Sequence, residues 1–174
     1  GTVMLGSDSS YSGTTTISNG TLIFNGSLAN TLAVLVESSA KLGGNGTIGG
    51  TVFTANGSTI SPGSSGPGTL TCTNGLTLGS GTRLDIEIGD SWDMLAVTGG
   101  TVMGTGAGGV TVRVRGSGGQ SDSYVIMDWT GATPAGVEIT DFLLAPEITG
   151  AFSLELIGAQ LILHAKPGTV LILR

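Results

Sequence analysis

The feature that most limits the fold of this chain is a short repeat, Gly-Thr followed by an apolar residue. The repeat begins at Gly1, Gly20, Gly46, Gly50, Gly68, Gly100 and Gly168. Asn-Gly pairs recur along the same chain, at Asn19, Asn25, Asn45, Asn56 and Asn74. Because both residues tolerate a positive φ, each Asn-Gly pair predicts a corner. Corners this frequent leave room only for strands of about three to five residues.

Between the corners, apolar and polar side chains alternate with a period of two. Residues 69–73 and 83–88 are the clearest examples. This period predicts strands with one buried face and one wet face. The 32 glycines disfavour helices, and the low share of charged residues, 10%, argues against disorder. The composition therefore indicates an all-β protein.

An antiparallel sandwich would show the same alternation. The short strands, the dense turns and the Thr and Ser residues at wet positions favour a parallel coil, in which like side chains stack on successive rungs. We therefore expect a β-solenoid whose coils stack about 4.8 Å apart around a continuous core. At about 20 residues per coil, about eight coils fit in the chain.

Several segments resemble the autotransporter-associated β-strand repeat, also called the passenger-associated transport repeat. They are residues 1–6, 11–22, 41–52, 61–63, 68–71, 84–89, 93–99 and 124–128. The resemblance covers nearly the whole chain and implies a right-handed parallel β-helix that is secreted or displayed on a bacterial surface. Members of this family serve mainly as extended stalks, adhesins and surface-layer material.

The chain is expected to form a single domain over residues 1–174. Residues 1–90 are the regular, charge-poor part. Residues 91–174 carry both Trp residues and longer connections, such as 116–123 and 133–147. We therefore expect coils with longer loops in the C-terminal half.

The charge composition disfavours several kinds of partner. Six basic and twelve acidic residues give a formal net charge of −6. The sequence has no run of Lys and Arg to neutralise phosphates, which argues against nucleic acid and anionic membranes. No apolar stretch reaches the roughly 18–20 residues that cross a bilayer. The chain opens on Gly1 without an initiator Met or a basic leader, so we expect a mature or excised segment.

The best enzymatic constellation in the sequence is acidic. Its members are Asp85, Glu87, Asp90 and Asp93, with Arg113 and Arg115 on a later strand. Polysaccharide lyases on parallel β-helices use an acidic calcium cluster and a basic proton abstractor, so the Asp85/Glu87/Arg113 face is a candidate site for binding or cleaving polysaccharide. The simpler interpretation is a solvated ladder in which the arginines neutralise carboxylates on neighbouring rungs.

Other single residues have plainer interpretations. His164, the one histidine, is expected on a strand surface. Cys72, the one cysteine, follows the apolar face and is expected to be a buried, inert thiol. Trp92 and Trp129 are either sugar-stacking platforms or covers of the core. A G-x-G-x-x-G match at 104–109 precedes a strand-like segment, so it predicts a turn and not a dinucleotide site.

The two ends of the chain have similar strand patterns and no obvious cap. A solenoid normally needs caps, because bare end coils expose unpaired backbone and apolar core. We therefore predict that the ends pair head to tail with other copies of the chain. The predicted interface residues are Thr2, Val3, Met4, Leu5, Thr169, Val170, Leu171, Ile172 and Leu173. The alternative is a segment of a longer solenoid whose caps lie outside these residues.

These features together predict a non-enzymatic structural protein, outside the cell or on its surface, whose β-helical subunits stack into a fibre, stalk or matrix. No catalytic residue, cofactor or metal site is expected. Two alternatives stay open: a polysaccharide-binding or lyase-like β-helix, and an adhesin. The expected partner is a second copy of the chain, with surface polysaccharide as another, and neither nucleic acid nor a membrane span is expected.

Overall fold

The computed structural model describes residues 1–116 and 121–166, and in these residues regular structure is almost entirely β. In chain order the strands are β1 (Thr2–Leu5), β2 (Thr15–Ile17), β3 (Thr21–Phe24), β4 (Ser27–Leu28), β5 (Ala33–Val36), β6 (Lys41–Gly44), β7 (Thr47–Ile48), β8 (Thr51–Thr54), β9 (Thr59–Pro62), β10 (Thr69–Cys72), β11 (Leu76–Thr77), β12 (Thr82–Glu87), β13 (Met94–Val97), β14 (Thr101–Met103), β15 (Val110–Arg115), β16 (Ser123–Asp128), β17 (Thr133–Ala135), β18 (Phe142–Leu144), β19 (Phe152–Ile157) and β20 (Gln160–Ala165). Two 3-10 turns, Ile139–Asp141 and Pro146–Ile148, flank β18. The all-β prediction is confirmed.

In each coil the chain passes through three sheets in the same order. Sheet I runs β1-β3-β6-β9-β12-β15-β18, sheet II runs β4-β7-β10-β13-β16-β20-β19, and sheet III runs β2-β5-β8-β11-β14-β17. Neighbouring strands are parallel throughout sheets I and III, and in sheet II as far as β16. The fold is therefore a parallel β-helix, as the sequence predicted.

Inward-facing side chains form continuous columns along the stack of coils. One column in sheet I consists of Val3, Leu22, Leu42, Ile60, Leu84 and Val112. Every member of this column except Val3 is buried. A single coil cannot bury its apolar face, but each stacked neighbour covers the next, which produces one continuous core. The predicted alternation of buried apolar and wet polar positions is confirmed.

The coils lengthen along the chain. Thr2 lies beside Thr21 and Thr21 beside Lys41, so the first two coils take 19 and 20 residues. Val110 lies 28 residues after its partner Thr82, and Phe142 lies 32 residues after Val110. The expectation of about eight equal coils is therefore wrong, and sheet I has seven strands within the described residues. The added residues lie in connections between strands, where they do not disturb the core.

The corners use glycine for two different reasons. Gly75 has a φ of 103°, the left-handed backbone that the Asn-Gly pattern predicts. Gly46 has no such φ, and a Cβ there would lie 2.6 Å from the carbonyl oxygen of Gly26 on the previous coil. At that corner glycine is needed because two backbones approach closely. The G-x-G-x-x-G match at 104–109 forms a turn that leads into β15, as expected.

The C-terminal end of the described chain departs from the parallel pattern. Strands β19 and β20 form an antiparallel hairpin, and β20 pairs antiparallel with β16 in sheet II. Phe152, Leu161 and Leu163 on this hairpin are buried, as is Ile148 beside it. The sequence analysis expected no cap at this end, whereas the hairpin covers the last coil.

Candidate functional site

The N-terminal end of the helix is an open end of its core. Val3 lies in register with buried Leu22, yet 59% of Val3 is exposed, because no coil covers it within the described residues. A cavity of about 600 Å³ opens at this end, with Val3, Leu5, Ile17 and Leu22 in its wall. Apolar side chains that point along a core and end in solvent have a free energy of burial still to be gained.

The backbone is also open at this end. Strands β1 and β2 are the end strands of sheets I and III, so each has a neighbour on one side only. Met4 belongs to β1 as well, but it alternates with Val3 and so faces outward, with 60% of its surface exposed. Val3 and Met4 are thus equally exposed on opposite faces of one strand.

The first coil leaves sheet II without a strand of its own, because the chain passes over it as a loop. The amide of Ser9 donates to the carbonyl oxygen of Ser27 at 2.9 Å, and the amide of Ser27 donates to Oδ1 of Asp8 at 2.8 Å. Asp8 and Ser9 therefore occupy the free edge of β4. The open surface at the N-terminal end consists of sheets I and III and the core between them.

Five of the predicted interface residues lie at this open end or outside the described chain. Thr2, Val3, Met4 and Leu5 form β1. Thr169, Val170, Leu171, Ile172 and Leu173 lie outside the described residues, so their pairing stays a prediction.

A second candidate site lies on the outward face of sheet I, where the basic residues gather. Lys41 and Arg83 both pair with Thr59, one from each side, so they belong to one column. Arg113 pairs with Asp85 and Arg115 with Glu87 on adjacent strands. We call Lys41, Arg83, Arg113 and Arg115 the basic face. The sequence gives no hint of this cluster, because its members come from four different coils or strands.

Asp85 lies at the centre of the basic face and is buried. Its Oδ2 accepts a hydrogen bond from Nη2 of Arg115 at 2.9 Å. Nζ of Lys41 lies 3.9 Å from Oδ2, and Nη1 of Arg113 lies 4.0 Å from Oδ1. Burial lowers the pKa of Lys41 below its ordinary value, by more than the Asp85 carboxylate raises it. Three cations thus share one carboxylate, which is the ladder of ion pairs that the simpler interpretation of the sequence expected.

The four predicted acidic residues do not form one cluster. Asp93 is buried, and its two oxygens accept the amides of Gly68 and Glu87 at 2.9 and 2.8 Å. Burial raises the pKa of Asp93 to about 6, against these hydrogen bonds, which lower it. Asp90 and the Glu87 side chain are exposed. In the described ranges no group of three or more His, Cys, Asp or Glu residues is arranged to hold a metal ion.

The structure brings together Ser123, His164 and Glu155, which the sequence analysis did not connect. Ser123 Oγ lies 2.8 Å from Nδ1 of His164, and Nε2 of His164 lies 2.9 Å from Oε2 of Glu155, without hydrogen-bond geometry. The order resembles a nucleophile, base and orienting carboxylate. However, the Glu155 side chain is 56% exposed, and acyl transfer needs a water-excluded site with oxyanion donors. The antiparallel pairing of β16, β20 and β19 alone accounts for the contact.

The remaining predicted residues lie as follows. Cys72 is fully buried between Ile48 and Val97, and burial raises the pKa of its thiol to about 12, which confirms an inert cysteine. Trp129 is 1% exposed, so it covers the core and offers no stacking platform. Trp92 is half-buried, and its indole N–H donates to the carbonyl oxygen of Val125 at 3.0 Å.

Comparison of the chain with models of known protein families and with curated proteins gives no match. Within residues 1–116 and 121–166, no helix has the length and hydropathy to cross a membrane. The case for function therefore depends on the geometry of the open end and of the basic face.

Proposed function

We propose that this chain is a structural β-helix unit that stacks head to tail with other copies, outside the cell or on its surface, to build a fibre, stalk or matrix. The observation that carries the proposal is the exposure of Val3, a core position at the mouth of the open N-terminal end. A further coil placed on this end would cover Val3 in the way that the second coil covers Leu22.

The direction of the strands supports a head-to-tail contact. Sheets I and III are parallel from β1 to β18 and from β2 to β17. A second copy related by translation and rotation along the axis would continue both sheets in the same direction. Such a contact joins two different surfaces, so it is heterologous and extends without limit unless it closes a ring.

The energetics of stacking also favour this proposal. Full burial of one Val or Leu side chain is worth about 1.5–3 kcal/mol, and Val3 and Leu5 would both gain part of it. Each new rung would also pair the free edges of β1 and β2, which natural sheets seldom leave long and bare. Against these gains stands the cost of association, so the contact is expected to depend on concentration.

The primary experiment is negative-stain electron microscopy of the purified chain over a dilution series, with light scattering on the same samples. We expect unbranched filaments with a regular axial repeat at high concentration and short rods on dilution. Short rods of one length at every concentration would overturn the proposal.

Two matched variants test whether the core position carries the contact. Val3→Glu places a charge in the open core, whereas Met4→Glu adds the same charge to an equally exposed position on the outward face. We expect Val3→Glu to abolish filaments and Met4→Glu to retain them. Equal assembly by both variants would contradict a role for the open core.

A shortened chain tests the other half of the predicted interface. A chain that ends at Lys166 lacks Thr169, Val170, Leu171, Ile172 and Leu173, and we expect it to remain folded but to lose assembly. Circular dichroism checks the fold of this chain. Undiminished filaments would remove those five residues from the interface.

A further inference from the structure

The distribution of basic residues in this acidic protein is strongly uneven. The chain has only 6 Lys and Arg residues and a formal net charge of −6. Four of them, Lys41, Arg83, Arg113 and Arg115, lie on the outward face of sheet I. Random placement over three sheets and their corners would scatter them, so their common position needs a physical explanation.

The basic face holds more hydrogen-bond donors than it uses. Nζ of Lys41 and the Arg113 guanidinium approach Asp85 no closer than 3.9 Å, which is beyond hydrogen-bond length. Arg113 Nε lies 3.7 Å from Oε1 of Glu147, also too far for a hydrogen bond. Within the described residues Arg83 makes no ion pair. The donors of three cations are therefore free to bind an acceptor from solvent.

Buried Asp85 holds these cations in place. It lies beneath the guanidinium groups of Arg113 and Arg115 and within 4 Å of Lys41, so it keeps the three cations near one another although they repel. The side chains of Lys41, Arg113 and Arg115 remain 31%, 41% and 58% exposed. A set of cations fixed beforehand loses less side-chain entropy when it binds an anion.

The spacing of the basic face fits a polymer better than a single small anion. Lys41 and Arg83 belong to strands two rungs apart, and Arg113 and Arg115 to the next rung. With about 4.8 Å between rungs, the face extends for roughly 14 Å along the helix axis. An extended polymer with an anionic group on successive units meets a cation at intervals along this line.

We propose that the basic face of sheet I binds a linear acidic polysaccharide, whose carboxylate or sulfate groups pair with Arg113, Arg83 and Lys41. The site lies on the side of the helix and away from its open end, so a stacked fibre would repeat it along its length. The reaction is binding alone, with no bond broken. It differs from the lyase-like expectation because the groups that bind the polymer are the cations.

The acids near this face set a limit on the kind of polymer. Asp85 and Glu87 share the face with the four cations, and Glu147 lies beside Arg113. Double-stranded nucleic acid carries one charge per about 1.7 Å, and its tight binding needs many neutralised phosphates. A short row of cations among carboxylates suits a polymer of lower charge density.

The experiment measures binding of the full chain to soluble polymers at about 0.02 M and about 0.2 M salt, below the concentration at which the chain assembles. Dextran sulfate and uncharged dextran share one backbone, so their comparison isolates the anionic group. Polygalacturonate tests carboxylate in place of sulfate. We expect binding to dextran sulfate, to polygalacturonate or to both, weakened by salt, and none to dextran.

The variants are chosen to change charge without disturbing the fold. Arg113→Gln and Lys166→Gln each remove one positive charge, but Lys166 lies near the C-terminal hairpin, where it donates to Thr149. We expect Arg113→Gln to weaken binding about fivefold and Lys166→Gln to leave it unchanged. The double variant Arg83→Gln with Arg113→Gln is expected to weaken binding further, and both keep the hydrogen bond between Arg115 and Asp85.

Three results would overturn the proposal. One is equal retention of the chain on dextran sulfate and dextran, with no binding to polygalacturonate at low salt. Another is the same affinity for Arg113→Gln and Lys166→Gln. The third is tighter binding to double-stranded DNA than to either acidic polysaccharide, which would assign the face to nucleic acid.

Discussion

The two ends of this β-helix solve the same problem in different ways. At the N-terminal end the core column runs out at Val3, which is 59% exposed, beside a cavity of about 600 Å³. At the C-terminal end an antiparallel hairpin lies on the last parallel strand of sheet II, and Leu163 and Phe152 are 0% and 3% exposed. Both ends carry apolar strands of similar composition.

The comparison shows that composition alone does not close a solenoid. A strand that enters a sheet parallel leaves a new free edge of the same kind, so stacking can always continue. A hairpin reverses the chain and brings its own buried side chains over the core. The reversal at Gly158, with its positive φ of 58°, thus makes the C-terminal end of the described chain unlike the N-terminal end.

The largest expected difference between the ends lies in the core. Leu163→Ala removes a fully buried side chain and is expected to lower the free energy of unfolding by about 2–5 kcal/mol. Val3→Ala removes a largely exposed one and is expected to cost less than about 0.5 kcal/mol. Urea unfolding of dilute, unassembled chains measures both. Similar costs for the two variants would mean that the N-terminal end is closed in solution.

A smaller difference is expected for the carboxylates that tie the last strands. Oδ2 of Asp128 accepts from the Gln160 amide at 2.8 Å and joins β16 to the hairpin, whereas exposed Asp8 accepts from Ser27 at the other end. We expect Asp128→Asn to cost about 1 kcal/mol at pH 7, and Asp8→Asn about half as much.

The pH dependence of Asp128 provides a check on that prediction. Partial burial raises its pKa, but hydrogen bonds from Thr130 and Gln160 outweigh burial and lower the pKa overall. A depressed pKa in the folded state stabilises the fold above the unfolded value of about 3.9 and is lost as the pH falls through the folded value. The gap between wild type and Asp128→Asn in urea unfolding should therefore shrink in acid. A gap that widens in acid would contradict the hydrogen-bonded carboxylate.

The smallest difference is expected for exposed polar contacts at the two ends. Glu155→Gln removes the carboxylate that lies 2.9 Å from His164 on the hairpin, and Tyr11→Phe removes a hydrogen bond of 2.8 Å to Thr15 on the first coil. Exposed pairs contribute about 0–1 kcal/mol, so both changes should lie within about 0.5 kcal/mol of wild type. A loss above about 2 kcal/mol for Glu155→Gln would show that the Ser123–His164–Glu155 group has a role beyond a surface contact.

Local patterns predicted most of the fold. The alternation in residues 69–73 and 83–88 and the Asn-Gly corners are properties of neighbouring residues, so they can be recognised without knowledge of distant contacts. They correctly predicted parallel coils, the buried thiol of Cys72 and the turn at 104–109. The number of coils was wrong because loop length changes the spacing of rungs while leaving each strand unaltered.

The candidate sites depend on contacts between residues far apart in the chain. Lys41 and Arg115 meet at Asp85 because strands β6, β12 and β15 belong to one sheet, and nothing near Lys41 in sequence marks that meeting. The contact of Ser123 with His164 depends in the same way on the antiparallel hairpin. Register between distant strands is set by the total length of the loops, which short patterns do not record.

The sequence by itself determined that this chain forms short strands with one apolar face and that these strands stack into a coil. It did so because alternation and corner residues act over two to five neighbouring positions. Only the tertiary structure decided which basic side chains share a face and that the C-terminal end of the described chain closes while the N-terminal end stays open. Those outcomes depend on which strands become neighbours, and that is a property of the whole stack.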